Sequence, residues 1–185
     1  MKAIKGFSLI EIMVVIAIIS ILASMTESEF SSLIKKYKIK SEVNKWHLAL
    51  NLARQSAITS NHIVTLCPSH DGINCGSTWP SGAIIFVDIN KNHDRDVNEL
   101  ILQTIEAAED THTISWRAFQ NRNYVQFQQN GFTWNQNGTL RVCNNDPSLK
   151  YNRALIVTRT GRIRMSSDSN GDGIEEDAQG NKISC

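Results

Sequence analysis

Gly6-Phe7-Ser8-Leu9-Ile10-Glu11 opens an apolar run that continues to Met25, and its reading decides what the rest of the chain is. Phe7 to Met25 is nineteen residues with one ionisable side chain, Glu11, and neither proline nor glycine. As a helix rising ~1.5 Å per residue it covers roughly 28 Å, about the hydrocarbon thickness of a bilayer. A carboxylate that deep in an apolar segment is costly and marks a role that needs it. Lys2 and Lys5 precede the run, which keeps the N-terminus cytoplasmic and sends the bulk of the chain across. No secretory cleavage pattern stands near Ala23 to Ser28, so the run reads as a single-span anchor.

Working outward, the helix is expected to continue well past Met25. Ile39, Val43, Trp46, Leu50, Ala53 and Ala57 recur at steps of four and three, the signature of one buried face. Lys35, Lys36, Lys38, Lys40, Glu42 and Lys45 fall largely on the other side. From Asn61 onward short β-like runs alternate with turn residues: 63–66, 83–88, 99–106, 113–118, 124–128, 139–142, 153–158 and 162–165. The fold class is therefore α+β: one long N-terminal helix laid on antiparallel sheet, with two layers as one arrangement. The organisation reads as a leader (1–6), an apolar transmembrane or filament-core helix (7–29) and a globular head (30–185). Within the head, 30–60 is amphipathic helix and 61–185 is β-rich.

A chain of 185 residues allows one small domain beyond such a helix. The formal charge of +1 falls to −1 if Lys2 and Lys5 are removed, so bulk charge points to no partner. Four cysteines, Cys67, Cys75, Cys143 and Cys185, suit a domain facing an oxidising space. Three connectivities exist; Cys67–Cys75 with Cys143–Cys185 is favoured, because the first closes a short loop and the second ties down the last residue. Zinc is the alternative use of these thiols, without any C-x-x-C spacing to support it.

The Gly6-Phe7-Ser8-Leu9-Ile10-Glu11 string closely resembles the leader junction of type IV pilins and of type II secretion pseudopilins. That resemblance implies cleavage between Gly6 and Phe7 by a prepilin peptidase, methylation of the new Phe7 amine, and retention of the apolar segment. It implies residence in the bacterial inner membrane with the head in the periplasm, followed by entry into a filament with other pilin subunits through the N-terminal helix. Glu11 would then pair with the N-terminal amine of a neighbouring subunit, relieving a charge that hydrocarbon rejects. Where most pilins carry a helix-disrupting proline, Ser28 stands. Ala53-Arg54, Ala57-Ile58, Trp79, Gly82, Phe86, Asp88, Phe127, Gly131, Gly138, Cys143 and Gly161-Arg162-Ile163-Arg164 resemble the GspH/FimT group of pilin-like proteins specifically.

Between Asp146 and Asp168 stand five basic residues, Lys150, Arg153, Arg159, Arg162 and Arg164, and no acidic one. With Thr160-Gly161 as a two-residue hairpin turn, Arg159 and Arg162 face each other and Arg164 shares the face of Arg162. Ile163 and Met165 then point to the opposite, buried face. Such a cluster suits phosphate oxygens without base readout. Gly161, Arg162 and Arg164 also resemble the Gly-Arg-x-Arg element of FimT-type minor pilins, which implies double-stranded DNA binding in natural transformation; Arg159, Arg153 and Lys150 extend it. Two other outcomes stand beside this. The arginines can pair with a neighbouring subunit, or Asp168, Asp172, Glu175, Glu176 and Asp177 can fold back and neutralise them.

Asp88, Asn90, Asn92, Asp94, Asp96 and Glu99 repeat the ligand spacing of a calcium loop, with His93 where the sharp turn needs glycine. Asp168-x-Asn170-x-Asp172-Gly173 fits the first half of the same pattern, and Gln179 occupies its twelfth position. Asx-rich turns also arise simply as turns, and no metal or other cofactor is expected. The five histidines form no triad or metal spacing, so the chain reads as a structural subunit and not an enzyme. Its two settings are a minor pilin of a type IV pilus and, as the alternative, the H-type minor pseudopilin of a type II secretion system.

Overall fold

Helix α1 runs from Leu9 to Ser60, as the apolar run and the four-three spacing after it require. The structure is a computed structural model that describes residues 6–145, 148–177 and 179–185, with the side chains of 22–29 also outside the description. Most of the leader, 1–5, therefore lies outside the described residues. Asn61 takes a left-handed backbone, φ 55°, directly after the helix, a conformation asparagine tolerates better than most residues at a helix end.

Two compact units divide the chain, Met1–Tyr37 and Lys38–Cys185. In the first, α1 displays its apolar side chains: Leu9, Ile10, Met13 and Ile16 are all exposed. Among the described residues no helix is long and apolar enough to cross a membrane. The last part of the expected span, 22–29, falls outside the described side chains.

In the second unit Ile39, Val43, Trp46, Leu50, Ala53 and Ala57 are buried, with Ala49 added to the same face. Glu42 departs from its expected exposed position and is buried. The cause is local: the buried Trp46 indole N–H needs an acceptor, and Glu42 Oε1, one turn earlier, takes it at 2.9 Å. Lys45 supplies the counter-charge at 2.8 Å.

Eight strands follow: β1 (Val64–Pro68), β2 (Ala83–Val87), β3 (Ile101–Ile105), β4 (His112–Ala118), β5 (Val125–Phe127), β6 (Gly138–Asn144), β7 (Arg153–Val157) and β8 (Ile163–Met165). They form two antiparallel four-stranded sheets, ordered β3-β2-β1-β5 and β4-β6-β7-β8. Alternation decides what each strand buries. Val64, Leu66, Ala83 and Ile85 of the first sheet, with Leu140, Val142, Leu155 and Val157 of the second, join the buried face of α1 in one core. Trp79 stands at its centre, edge-on to Trp46 at 5.7 Å and tilted to Trp116 at 6.3 Å between ring centroids.

The outer faces of both sheets are covered by irregular chain held by disulfides. Cys67 bonds Cys75 and Cys143 bonds Cys185. On the first sheet Cys67, Ile84 and Phe86 form a second cluster under that loop. On the second, Cys143, Ala154 and Ile183 form a third beneath the C-terminal tail.

Candidate functional sites: the helix start and the arginine turn

Ser8 starts α1 by accepting the Glu11 N–H on its Oγ at 3.3 Å. Ser8 and Glu11 thus stand at the cap and third positions, the S-x-x-E order of a capping box. The carboxylate also lies where the helix dipole favours negative charge. Gly6 has open space around it and Phe7 is 81% exposed, so the junction between them is accessible.

The connection from β7 to β8 differs from the expected two-residue turn. Thr158 and Arg162 form the closing pair, with the Thr158 N–H donating to the Arg162 carbonyl at 3.0 Å. Arg159, Thr160 and Gly161 therefore make a three-residue loop, with Gly161 left-handed at φ 73°. The Thr158 side chain selects this closure: its Oγ1 accepts the Arg162 N–H at 3.1 Å. Arg162 consequently faces Thr158 and not Arg159. Arg164 stands opposite Ile156 in the β7–β8 register, and Ile163 opposite Val157. Met165, expected to be buried, is 45% exposed, since β8 is an edge strand of its sheet.

Arg159, Arg162 and Arg164 are exposed, and among the described residues no ion pair reaches them. The acidic tail neutralises a different member of the set. Arg153 Nε meets Glu175 at 2.7 Å, and Glu175 is further held by the Ser166 hydroxyl. Burial pushes the Glu175 carboxyl above its ordinary range, against the opposing pull of Ser166 and Arg153. Lys150 is exposed in the single turn 149–151. Asp168, Asp172 and Glu176 gather with oxygens within 4.8 Å of one another, and Lys182 supplies their positive charge through Asp172 at 2.8 Å.

A second turn, 128–134, underlies the arginine turn and went unnoticed as part of it in the sequence. Thr133 donates its N–H to the Arg159 carbonyl at 3.0 Å and its hydroxyl to the Thr158 carbonyl at 3.0 Å. Arg54 of α1 donates from Nε to the Gly131 carbonyl at 3.2 Å. Asn130-Gly131, a turn dipeptide between strands, was the available signal.

The loop 88–99 spends several of its oxygens on its own chain, while Asp88 Oδ1 is buried without a hydrogen-bond partner among the described residues. Asp88 Oδ2 accepts from Thr65, Gln126 and the His93 N–H, and Glu99 accepts the N–H groups of Ile89 and Asp96. Asn90 and Asn92 both donate to Asp96 Oδ2. The turn forms without glycine, His93 taking φ 73° and stacking on Tyr124 at 4.2 Å. Asp94 is exposed, its N–H donating to Asn92.

A capped apolar helix that continues into a head of two antiparallel sheets defines a pilin-like filament subunit. The family model for type II transport protein GspH matches residues 42–161, and the prokaryotic N-terminal methylation motif matches residues 1–26. The chain belongs to the GspH family, the type IV minor pilins and pseudopilins of the GspH/FimT group. Its fold is similar to the type IV minor pilin FimU of Pseudomonas aeruginosa PAO1, with TM-score 0.54 and 18% identity over 75% of this chain and 92% of that one. It is also similar to the minor pseudopilin EpsH from the type 2 secretion system of Vibrio cholerae, with TM-score 0.51 and 9% identity over 69% and 95%. No curated protein matches the sequence. Membership implies processing by a prepilin peptidase and assembly with other pilin subunits.

Proposed function

We propose that this chain is a minor pilin of a type IV pilus, needed for filament assembly, that also captures double-stranded DNA during natural transformation. It is cut between Gly6 and Phe7, methylated at Phe7, and anchored in the inner membrane by 7–29 with its head in the periplasm. It then enters the filament through α1, where Glu11 meets the amine of a neighbour. Arg162 and Arg164, with Arg159, take DNA phosphates. The observation that carries the DNA reading is the turn that presents three exposed guanidinium groups while the acidic tail is engaged with Arg153 and Lys182. Guanidinium groups in that state suit bidentate contacts to phosphate.

The H-type pseudopilin reading shares the fold, the leader and Glu11, and its support is the likeness to EpsH. The arginine turn, exposed and without an ion pair among the described residues, favours the pilus. Deletion of the gene separates the two: loss of transformation and twitching supports the pilus, and loss of protein export overturns it.

The direct test is duplex DNA binding by the full chain in non-ionic detergent. Arg162→Ala with Arg164→Ala is expected to weaken binding about tenfold and to lower the slope of log K against log salt by about two. Salt-independent binding, or binding that the double variant leaves intact, overturns the DNA reading.

A further inference from the structure

Beside the arginine turn the chain displays two aromatic rings that the core does not use. Phe132 is 42% exposed and Trp134 is 53% exposed, whereas Trp46, Trp79 and Trp116 are buried. Asn130, Phe132, Trp134 and Arg159 line one shallow groove of about 380 Å³. Trp134 sits in the left-handed region at φ 50°, a conformation a bulky side chain adopts only when its surroundings impose it. The surroundings are firm. Gln128 N–H donates to the Phe132 carbonyl at 2.8 Å, Gln136 N–H to the Thr133 carbonyl at 2.9 Å, and Thr133 N–H to the Arg159 carbonyl. The rings and the arginine are therefore presented together by two turns fastened to each other.

We infer that Phe132 and Trp134 form a stacking platform for unpaired bases, so that the arginine turn takes single-stranded DNA in preference to duplex. The inference rests on the DNA reading above and deepens it. A duplex hides its base faces, and an arginine cluster alone does not distinguish the two forms. A flat aromatic surface next to guanidinium groups does, because every unpaired base offers a face to stack while its phosphates reach the charge. Charge argues the same way, since the groove's charged member, Arg159, has no acidic partner among the described residues and is available to a phosphate.

Trp134 makes the test direct, being the one exposed tryptophan among the described residues. The full chain in non-ionic detergent is titrated with a labelled thymidine oligomer of about 12 nucleotides and with a duplex of equal length, within the reach of one such site. The oligomer is expected to quench tryptophan fluorescence and to bind about tenfold more tightly than the duplex. Trp134→Asn, a residue tolerant of the left-handed backbone, is expected to weaken oligomer binding about tenfold and to leave duplex binding unchanged. Trp134→Phe keeps a stacking ring, so it should retain affinity within about threefold while losing the quench, which separates stacking from misfolding. Oligomer binding that is unquenched, or that Trp134→Asn leaves intact, overturns the platform and leaves the DNA reading standing. Equal affinity for the two forms also overturns it. Failure of both DNAs to bind, with Arg162→Ala and Arg164→Ala equally silent, overturns the platform together with the reading it rests on.

Discussion

Glu11→Gln is expected to lower entry of this subunit into filaments about a hundredfold while leaving membrane insertion and leader removal intact. The substitution isolates charge. Glutamine is accepted at the third position of a capping box, so the start of α1, where Ser8 accepts the Glu11 N–H, is preserved. What disappears is the negative partner proposed for a neighbour's N-terminal amine. A lone charged group at the centre of an apolar layer costs about 2.5–3.5 kcal/mol on insertion scales, and each 1.4 kcal/mol is tenfold in an equilibrium. Glu11→Ala should show the same defect, with a smaller loss of helix-start stability added. The measurement is the ratio of subunit in sheared filaments to subunit in membranes, with the N-terminal residue of each pool read by mass. Incorporation of Glu11→Gln at the wild-type ratio removes the pairing role. Failure to be cut at Gly6-Phe7 would instead place Glu11 in peptidase recognition.

The same apolar run made most of the architecture legible. Its unbroken spacing and the four-three recurrence from Ile39 to Ala57 are local properties, so α1 and its buried face followed directly. Strand positions were equally local: each of the eight coincides with a run of β-formers between turn residues. What escaped depends on contacts far apart in sequence or on single side chains. Glu42 looked exposed because period alone cannot know that Trp46 needs an acceptor. The loop after β7 looked like a two-residue turn because Thr160-Gly161 is a good turn pair. The Thr158 hydroxyl and the Arg162 carbonyl move the closing pair outward by one residue. Phe132 and Trp134 fall in no motif of the sequence, and only the bonds from Thr133 to Thr158 and Arg159 bring them beside the arginines. The acids of the tail were legible as counter-charges but not their targets, since Arg153 was reached by Glu175 through folding across the second sheet.

Gly161→Ala is expected to destabilise the head by about 3–4 kcal/mol, read as a lower urea midpoint at unchanged slope. Two effects add. At φ 73° any side chain is strained, by about 1–2 kcal/mol. A methyl group there would also lie 1.8 Å from the Gly131 carbonyl oxygen, and that neighbour is backbone, which yields only by moving the turn it belongs to. Moving Gly131 in turn breaks the bond it accepts from Arg54, so the strain spreads to α1. Gly173→Ala is the control: its φ of 83° carries the same conformational strain, but open space surrounds it, so the loss should stay near 1 kcal/mol. The difference between the two variants measures the contact between the turns. It should appear in binding as well, because the close packing of Gly161 on Gly131 lets the Thr133 bonds set Arg159 beside Trp134. A Gly161→Ala protein as stable as the Gly173→Ala protein would mean the two turns part easily, and a platform built from both would then lack the rigidity that stacking requires.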